Sequence, residues 1–260
     1  MSSTVTPSAP APNPPGRSRT ARWVVAWAVS LVLAFLLGMQ VRPLNQPDAA
    51  TPAPAASGAT TAEPVATAAA EPDPGLVQFL LDLPRRRADD PMAMGQVDAK
   101  VVMTNWSDYR CPFCAVWHQK TLPGLMKYVE DGSLRIEFRD LSMFGEQSDN
   151  TAIAARAAGQ QGKFWEYQEA VFAAAPPSGH PDIQRDNLLE FARTAGVPDL
   201  AAFEAALDDP TLAQAVATDS GEARQLGISG TPFFVVGGQA VSGAQPLEAF
   251  ERLIADELAR

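Results

Sequence analysis

The sequence predicts an α/β fold with an inserted helical domain, preceded by one N-terminal transmembrane helix and an unstructured linker. Three observations lead there. An apolar, β-branched run, Lys100–Trp106, leads through a short polar loop into Cys111-Pro112-Phe113-Cys114 at the start of a helix. A second strand-like run, Phe233–Val236, turns through Gly237-Gly238 into a short partner and a final helix. Between the two halves, from about 148 to 226, the pattern is helical with repeated breaks.

In chain order, residues 1–22 read as an unstructured cytoplasmic tail. Trp23–Met39 is uncharged and almost wholly apolar, and its 17 residues span about 25 Å as a helix, enough for a thin bilayer. Residues 1–42 carry four arginines and no acid, so the remainder must hold −14 against the overall −10. Arg17, Arg19 and Arg22 precede the span, which puts the N-terminus in the cytoplasm and the C-terminal body outside. A cleaved signal peptide is the competing reading. No small-x-small cleavage pattern directly follows Met39, which favours an uncleaved anchor. Residues 40–74 are Ala, Pro and Thr with scattered acids, a solvated linker. The acidic body offers no basic stripe for a phosphate backbone and excludes nucleic acid as a partner.

The globular domain occupies 75–260. Pro112 suits the first helical position, where its missing N–H is no loss, so Cys111 stands at the helix edge. That helix should kink at Pro123-Gly124 and end near Gly132. Leu134, Ile136 and Phe138 alternate with Arg135, Glu137 and Arg139, the pattern of a half-exposed strand. Helices follow over Ala152–Gln160 and Phe164–Ala174, with Phe164 and Trp165 most simply core of the insert. After the loop at Pro176–Pro181 come three more helices, the last opened by Asp209-Pro210 and stopped at Gly227. Pro246 opens the terminal helix, with Leu247, Phe250, Leu253, Ile254 and Leu258 on one face.

The chain has two cysteines, and both lie in the C-X-X-C. Such a pair closes a loop too short to stabilise a fold much, so a working redox dithiol fits better than a staple. A zinc site completed by His118 and His180 would need two unrelated histidines to converge. No metal is therefore assigned. At a helix N-terminus unpaired N–H groups and the positive dipole end favour a thiolate. The N–H groups of Phe113 and Cys114 are the available donors. Cys111 is thus the exposed, attacked sulfur, and Cys114, one turn inward, resolves the mixed disulfide. His118 reads as a partly exposed helix residue, with tuning of the thiols as the alternative, and His180 carries no signal.

Three segments in this order resemble the DsbA-type thiol–disulfide oxidoreductases of bacterial envelopes, in the thioredoxin superfamily. They are Ser107–Cys114, Gln161-Gly-Lys-Phe-Trp-Glu-Tyr167 and Leu226-Gly-Ile-Ser-Gly-Thr-Pro-Phe-Phe-Val235. The resemblance spans about 90–258 and implies a thioredoxin fold carrying a helical insert. It implies catalytic Cys111 and Cys114, no cofactor, and substrates that are unfolded or secreted protein thiols. It also implies a membrane partner that reoxidises the pair, on a protein held in the cell membrane by one pass. Thr231-Pro232 matches the family's cis peptide, which faces the cysteines, pairs with extended substrate and keeps a side-chain donor off the thiolate. One position departs: where many members place a buried proton-shuttling glutamate, this chain has Asn105. An amide takes no proton, so a relay would need water or another acid such as Asp108 or Glu137, although Asp108 reads more simply as a turn cap. A reductase or isomerase on the same fold, or a non-enzymatic redox sensor or zinc clip, are the alternative functions.

Overall fold

The computed structural model describes residues 73–260. The tail 1–22, the span 23–39 and the linker up to residue 72 lie outside the described residues. Among the described residues, no helix is long and apolar enough to cross a membrane.

A five-stranded sheet organises the fold, in the order β1-β3-β2-β4-β5. The strands are β1 (Ala93–Met94), β2 (Val101–Ser107), β3 (Leu134–Asp140), β4 (Phe233–Val236) and β5 (Gln239–Ser242). Central β2 runs parallel to β3 and antiparallel to β4, and the remaining pairs are antiparallel. A parallel pair cannot be joined by a hairpin. The crossover between β2 and β3 is α2 (Pro112–Lys120) followed by α3 (Leu122–Glu130). The expected kink at Pro123-Gly124 is a full break two residues earlier, at Thr121. Pro123 sits in the first turn of α3 and has no N–H for the carbonyl of Gln119.

Side chains alternate across β2, so Val101, Met103, Asn105 and Ser107 face one way. On that face Trp117 and Leu125, from α2 and α3, pack with Phe250 and Ile254 of α9 (Leu247–Ala259). The opposite face holds Trp106 and Val235 against Leu80, Ala223 and Ile228. Leu80 belongs to α1 (Pro74–Leu81), capped by the Asp73 carboxylate at the Gly75 N–H. This helix begins inside the segment assigned to the linker, and neither it nor two-residue β1 is long enough for a periodic signal.

The insert comprises α4 (Glu146–Gly159), α5 (Phe164–Ala173), α6 (Arg185–Thr194), α7 (Leu200–Ala206) and α8 (Pro210–Gln225). The expected insert helices are present, but the first starts at Glu146 rather than Ala152. Asp209 caps α8 at the Thr211 N–H, and Gly227 ends it at φ 74°. A left-handed φ suits glycine and terminates the helix.

Strand β3 departs furthest from expectation, because every residue in it is buried. On its charged face two arginines share one carboxylate. Glu137 Oε1 accepts from Arg135 Nε at 3.0 Å and Oε2 from Arg139 Nη2 at 3.2 Å. The segment after α1 covers this row. The N–H groups of Arg85 and Arg86 each donate to Glu137 at 2.8 Å, and Arg135 Nη2 donates to Arg87 O at 2.6 Å. Buried charges persist when paired and hydrogen-bonded in this way.

Candidate active site

The cysteines sit where the core of the insert meets the sheet. They pack among Tyr109, Ala115, Phe138 and Phe172. The loop carrying them is braced from the insert side. Asp108 accepts from Arg110 N at 2.7 Å, Met143 N at 2.6 Å and Ser148 Oγ at 2.9 Å. Burial raises the Asp108 pKa against these donors, and its role is that of a turn cap and strut. Arg110 donates to Phe144 O at 2.5 Å and to Pro181 O at 2.8 Å. His180 returns a bond from Nδ1 to Arg110 O at 2.9 Å, which requires its proton on Nδ1, and its ring lies 3.9 Å from that of Phe144. Residue 180, without signal in the sequence, therefore holds the residue before Cys111. The three prolines and the glycine of its loop gave no periodic cue to that contact.

Pro112 occupies the first turn of α2 and Cys111 is its N-cap, with φ −76° and ψ 120°. The Cys111 pKa falls from an ordinary 9.0 to about 6. The largest cause is the Cys114 thiol donating to it; burial opposes, and the Thr231 hydroxyl and the N–H groups of Cys114 and Phe113 add to the fall. The two expected backbone donors are thus both present. Cys114 moves the other way. Burial, then the neighbouring sulfur, pushes it well above its ordinary value, while the Asp108 N–H and the Ser107 hydroxyl pull against that rise. One sulfur is disposed to ionise at neutral pH and the other to keep its proton.

Two expectations need correction. Cys111 is 3% exposed and Cys114 1%, so the first thiol is not open to solvent. The loop before β4 covers it: the Cys111 S–H donates to Thr231 O at 3.3 Å. Exposure at the site belongs to Phe113, at 63%, and Val116, at 48%. The second correction concerns Thr231. Its peptide to Pro232 is cis, as the resemblance implies, but its hydroxyl is near enough to the sulfur to help draw the Cys111 pKa down rather than being kept wholly away from it. Threonine carries its own hydroxyl to that neighbourhood, and Thr231 Oγ1 is buried without a hydrogen-bond partner in the thiol form.

The remaining candidates separate. Glu137 lies on the face of β3 that meets Thr104, opposite to Asn105 and the cysteine-bearing helix. Burial would raise its pKa, but Arg135, the Arg85 and Arg86 N–H groups and Arg139 hold it below the carboxylate range. It is no proton acceptor for the thiols. His118 packs at a tilt against Phe172, ring centroids 4.9 Å apart, and burial pushes its pKa down to about 4, leaving it neutral at pH 7. Neither histidine joins the cysteines, and among the described residues no three metal-ligating side chains cluster. Phe164 is core, whereas Trp165 lines a groove of about 500 Å³ with Met94, His118, Leu122 and Met126.

Comparison with known proteins agrees with this geometry. Residues 87–256 match the family model described as Thioredoxin. The probable disulfide bond formation protein D of Bacillus cereus is 28% identical over 151 residues, covering 56% of this chain and 69% of that protein. The crystal structure of oxidised BdbD from Bacillus subtilis superposes with TM-score 0.61 at 23% identity, over 66% of this chain and 94% of that one. A thioredoxin-like oxidoreductase from Silicibacter pomeroyi gives TM-score 0.56 at 27% identity, over 65% and 92%. With the C-X-X-C at the N-terminus of α2, the cis Thr231–Pro232 beside it and a helical insert between β3 and β4, the chain belongs to the thioredoxin family, among its DsbA-type thiol–disulfide oxidoreductases.

Proposed function

We propose that this protein is an extracytoplasmic disulfide oxidase that introduces disulfides into secreted proteins through Cys111 and Cys114. The observation that carries the reading is the opposed ionisation of the two sulfurs. A substrate thiolate attacks Cys111 Sγ in the oxidised pair, and Cys114 leaves with the electron pair. A second substrate thiolate then attacks the substrate sulfur of the mixed disulfide and expels Cys111 as a thiolate. The substrate leaves with a disulfide and the protein with two thiols. A stabilised Cys111 thiolate favours the reduced protein, which makes the oxidised form the stronger oxidant. Exposed Phe113 and Val116 offer apolar contact to an unfolded chain beside the reacting sulfur.

Thr231 and Pro232 serve in this reading as the substrate-pairing edge. The apolar Trp23–Met39, with arginines before it, serves as the anchor that places the domain outside the membrane, tethered by the 40–74 linker. Turnover then requires a membrane partner that reoxidises the pair. The relatives named as disulfide bond formation proteins support this direction of exchange. Equilibration of the protein in glutathione buffers tests it. An oxidase has a potential well above the roughly −270 mV of thioredoxin, and a value at or below that figure replaces this reading with the reductase.

A further inference from the structure

The α2–α3 crossover and α5 enclose the groove of about 500 Å³ that Trp165 lines. None of its walls comes from the loop that carries Thr231, so it is separate from the edge beside Cys111. Met94, Leu122, Met126 and Trp165 make it apolar, the lining of a site that takes apolar side chains. His118 stands in its wall as a neutral imidazole. The charged residues of the lining are Glu166 and Glu169, both acidic. Glu166 is paired with Lys163 at 2.8 Å, whereas Glu169 is exposed and has no cationic partner among the described residues. The complement of this lining is an apolar side chain next to a lysine or arginine.

Position ties the groove to the cysteines. Phe113, Val116 and Gln119 are all exposed, and their spacing of three makes them one ridge that winds along α2 from the C-X-X-C. Gln119 ends that ridge in the groove wall, where its Nε2 donates to Phe172 O. At about 1.5 Å per residue, His118 and Gln119 lie roughly 11–12 Å along the helix from Cys111, a distance that an extended peptide covers in about four residues. The two methionines of the lining are unbranched thioethers that re-pack around different side chains. Such a surface suits many unfolded sequences better than one fixed partner.

We propose that this groove is a substrate-binding site of the exchange, which takes an apolar residue next to a lysine or arginine about four residues from the reacting cysteine of an unfolded chain. The proposal rests on the thiol–disulfide reading above and adds a sequence preference to it. A chain anchored there presents its thiolate to Cys111 Sγ at a raised local concentration. The grip lies far from the sulfurs and is the same before and during exchange, so it lowers the half-saturating concentration and leaves the maximal rate alone.

The test uses the oxidised full chain and three reduced peptides that share one cysteine and carry, four residues away, Leu-Lys, Leu-Glu or Ser-Gly. The second-order rate constant for opening the Cys111–Cys114 disulfide should be about tenfold higher for Leu-Lys than for Ser-Gly, the scale of burying one large apolar side chain. It should be about threefold higher than for Leu-Glu, the scale of an exposed ion pair. Ala173→Trp fills the groove beside Gln119 from an exposed position and should erase the advantage of leucine over serine. Glu169→Lys should reverse the ranking of Leu-Lys and Leu-Glu. Reduced glutathione, too short to reach the groove, should open the disulfide at the wild-type rate in both variants. Peptide rates within twofold of one another, or a ranking that survives in both variants, overturn the proposal. A glutathione rate that falls in Ala173→Trp marks that variant as disturbed at the cysteines, and the ranking in Glu169→Lys then decides alone. If glutathione and all three peptides leave the wild-type disulfide closed, the thiol–disulfide reading itself fails, and the groove proposal falls with it.

Discussion

Thr231→Val isolates the one side-chain donor on Cys111 that lies outside its own helix. The substitution keeps the branched shape and removes only the hydroxyl, whose oxygen is buried without a hydrogen-bond partner and which helps draw the Cys111 pKa down. A hydrogen bond to a charged group contributes about 1.5–3 kcal/mol in total. Cys114 and two backbone N–H groups remain on the thiolate. They take up part of the loss, so the lower end applies, about 1.4 kcal/mol or one pH unit. Cys111 should therefore rise from about 6 toward roughly 7. At pH 7 the wild-type thiolate outnumbers the thiol about ten to one, and the variant brings them near parity. Counting both protonation states, the reduced form loses a factor of about five, or roughly 1 kcal/mol, which lowers the potential by about 20 mV. The assay is the pH dependence of Cys111 alkylation, read beside the potential in glutathione buffer at pH 7. An unchanged alkylation midpoint would refute the assignment of Thr231 as a thiolate donor. A potential that rises while the midpoint moves up would break the link between ionisation and oxidising strength.

The same depressed pKa makes the reduced domain pH-sensitive. Cys111 sits at about 6 folded and at 9.0 ordinarily, so its contribution is complete above pH 9 and lost as pH falls to about 6. Chemical unfolding of the reduced protein against reduced Cys111→Ser should show a gap of about 1.4 kcal/mol at pH 7 that closes by pH 5, and a gap that widens on acidification reverses the sign. A second prediction concerns Arg156, which bonds Asp140 at 2.6 Å and Asp219 at 2.5 Å inside the packing of α4 and α8 against β3. Burial already lifts Asp140 to about 6, against the pull of Arg156. Arg156→Leu should cost about 3–5 kcal/mol at pH 7.5 and less at pH 5, where the stranded carboxylate protonates; a loss under about 1 kcal/mol in urea unfolding would show that the pair is not structural.

The sequence made the elements legible wherever a local rule acts within one element. Pro112 at a helix start, Asp209-Pro210 as a cap pair and Gly227 as a stop all stand as read. It was least legible in β3, where reading period two sends charge to solvent. The charges of Arg135, Glu137 and Arg139 instead pair along one face, and Leu83–Arg87, some fifty residues earlier, closes over them. No window of β3 alone contains that cover. The site repeats the lesson at closer range. The helix terminus argues for a thiolate at either cysteine, since Cys111 caps α2 and Cys114 lies in its first turn. It is the balance of donors against desolvation that separates them. At Cys111 the pull of the Cys114 thiol, with the Thr231 hydroxyl and two backbone N–H groups, outweighs desolvation, whereas at Cys114 desolvation dominates. Thr231 is 120 residues away in sequence, and Ser107 reads as the polar end of a strand. The motif therefore named the chemistry, and the division of labour between the two sulfurs came from contacts that only the fold assembles.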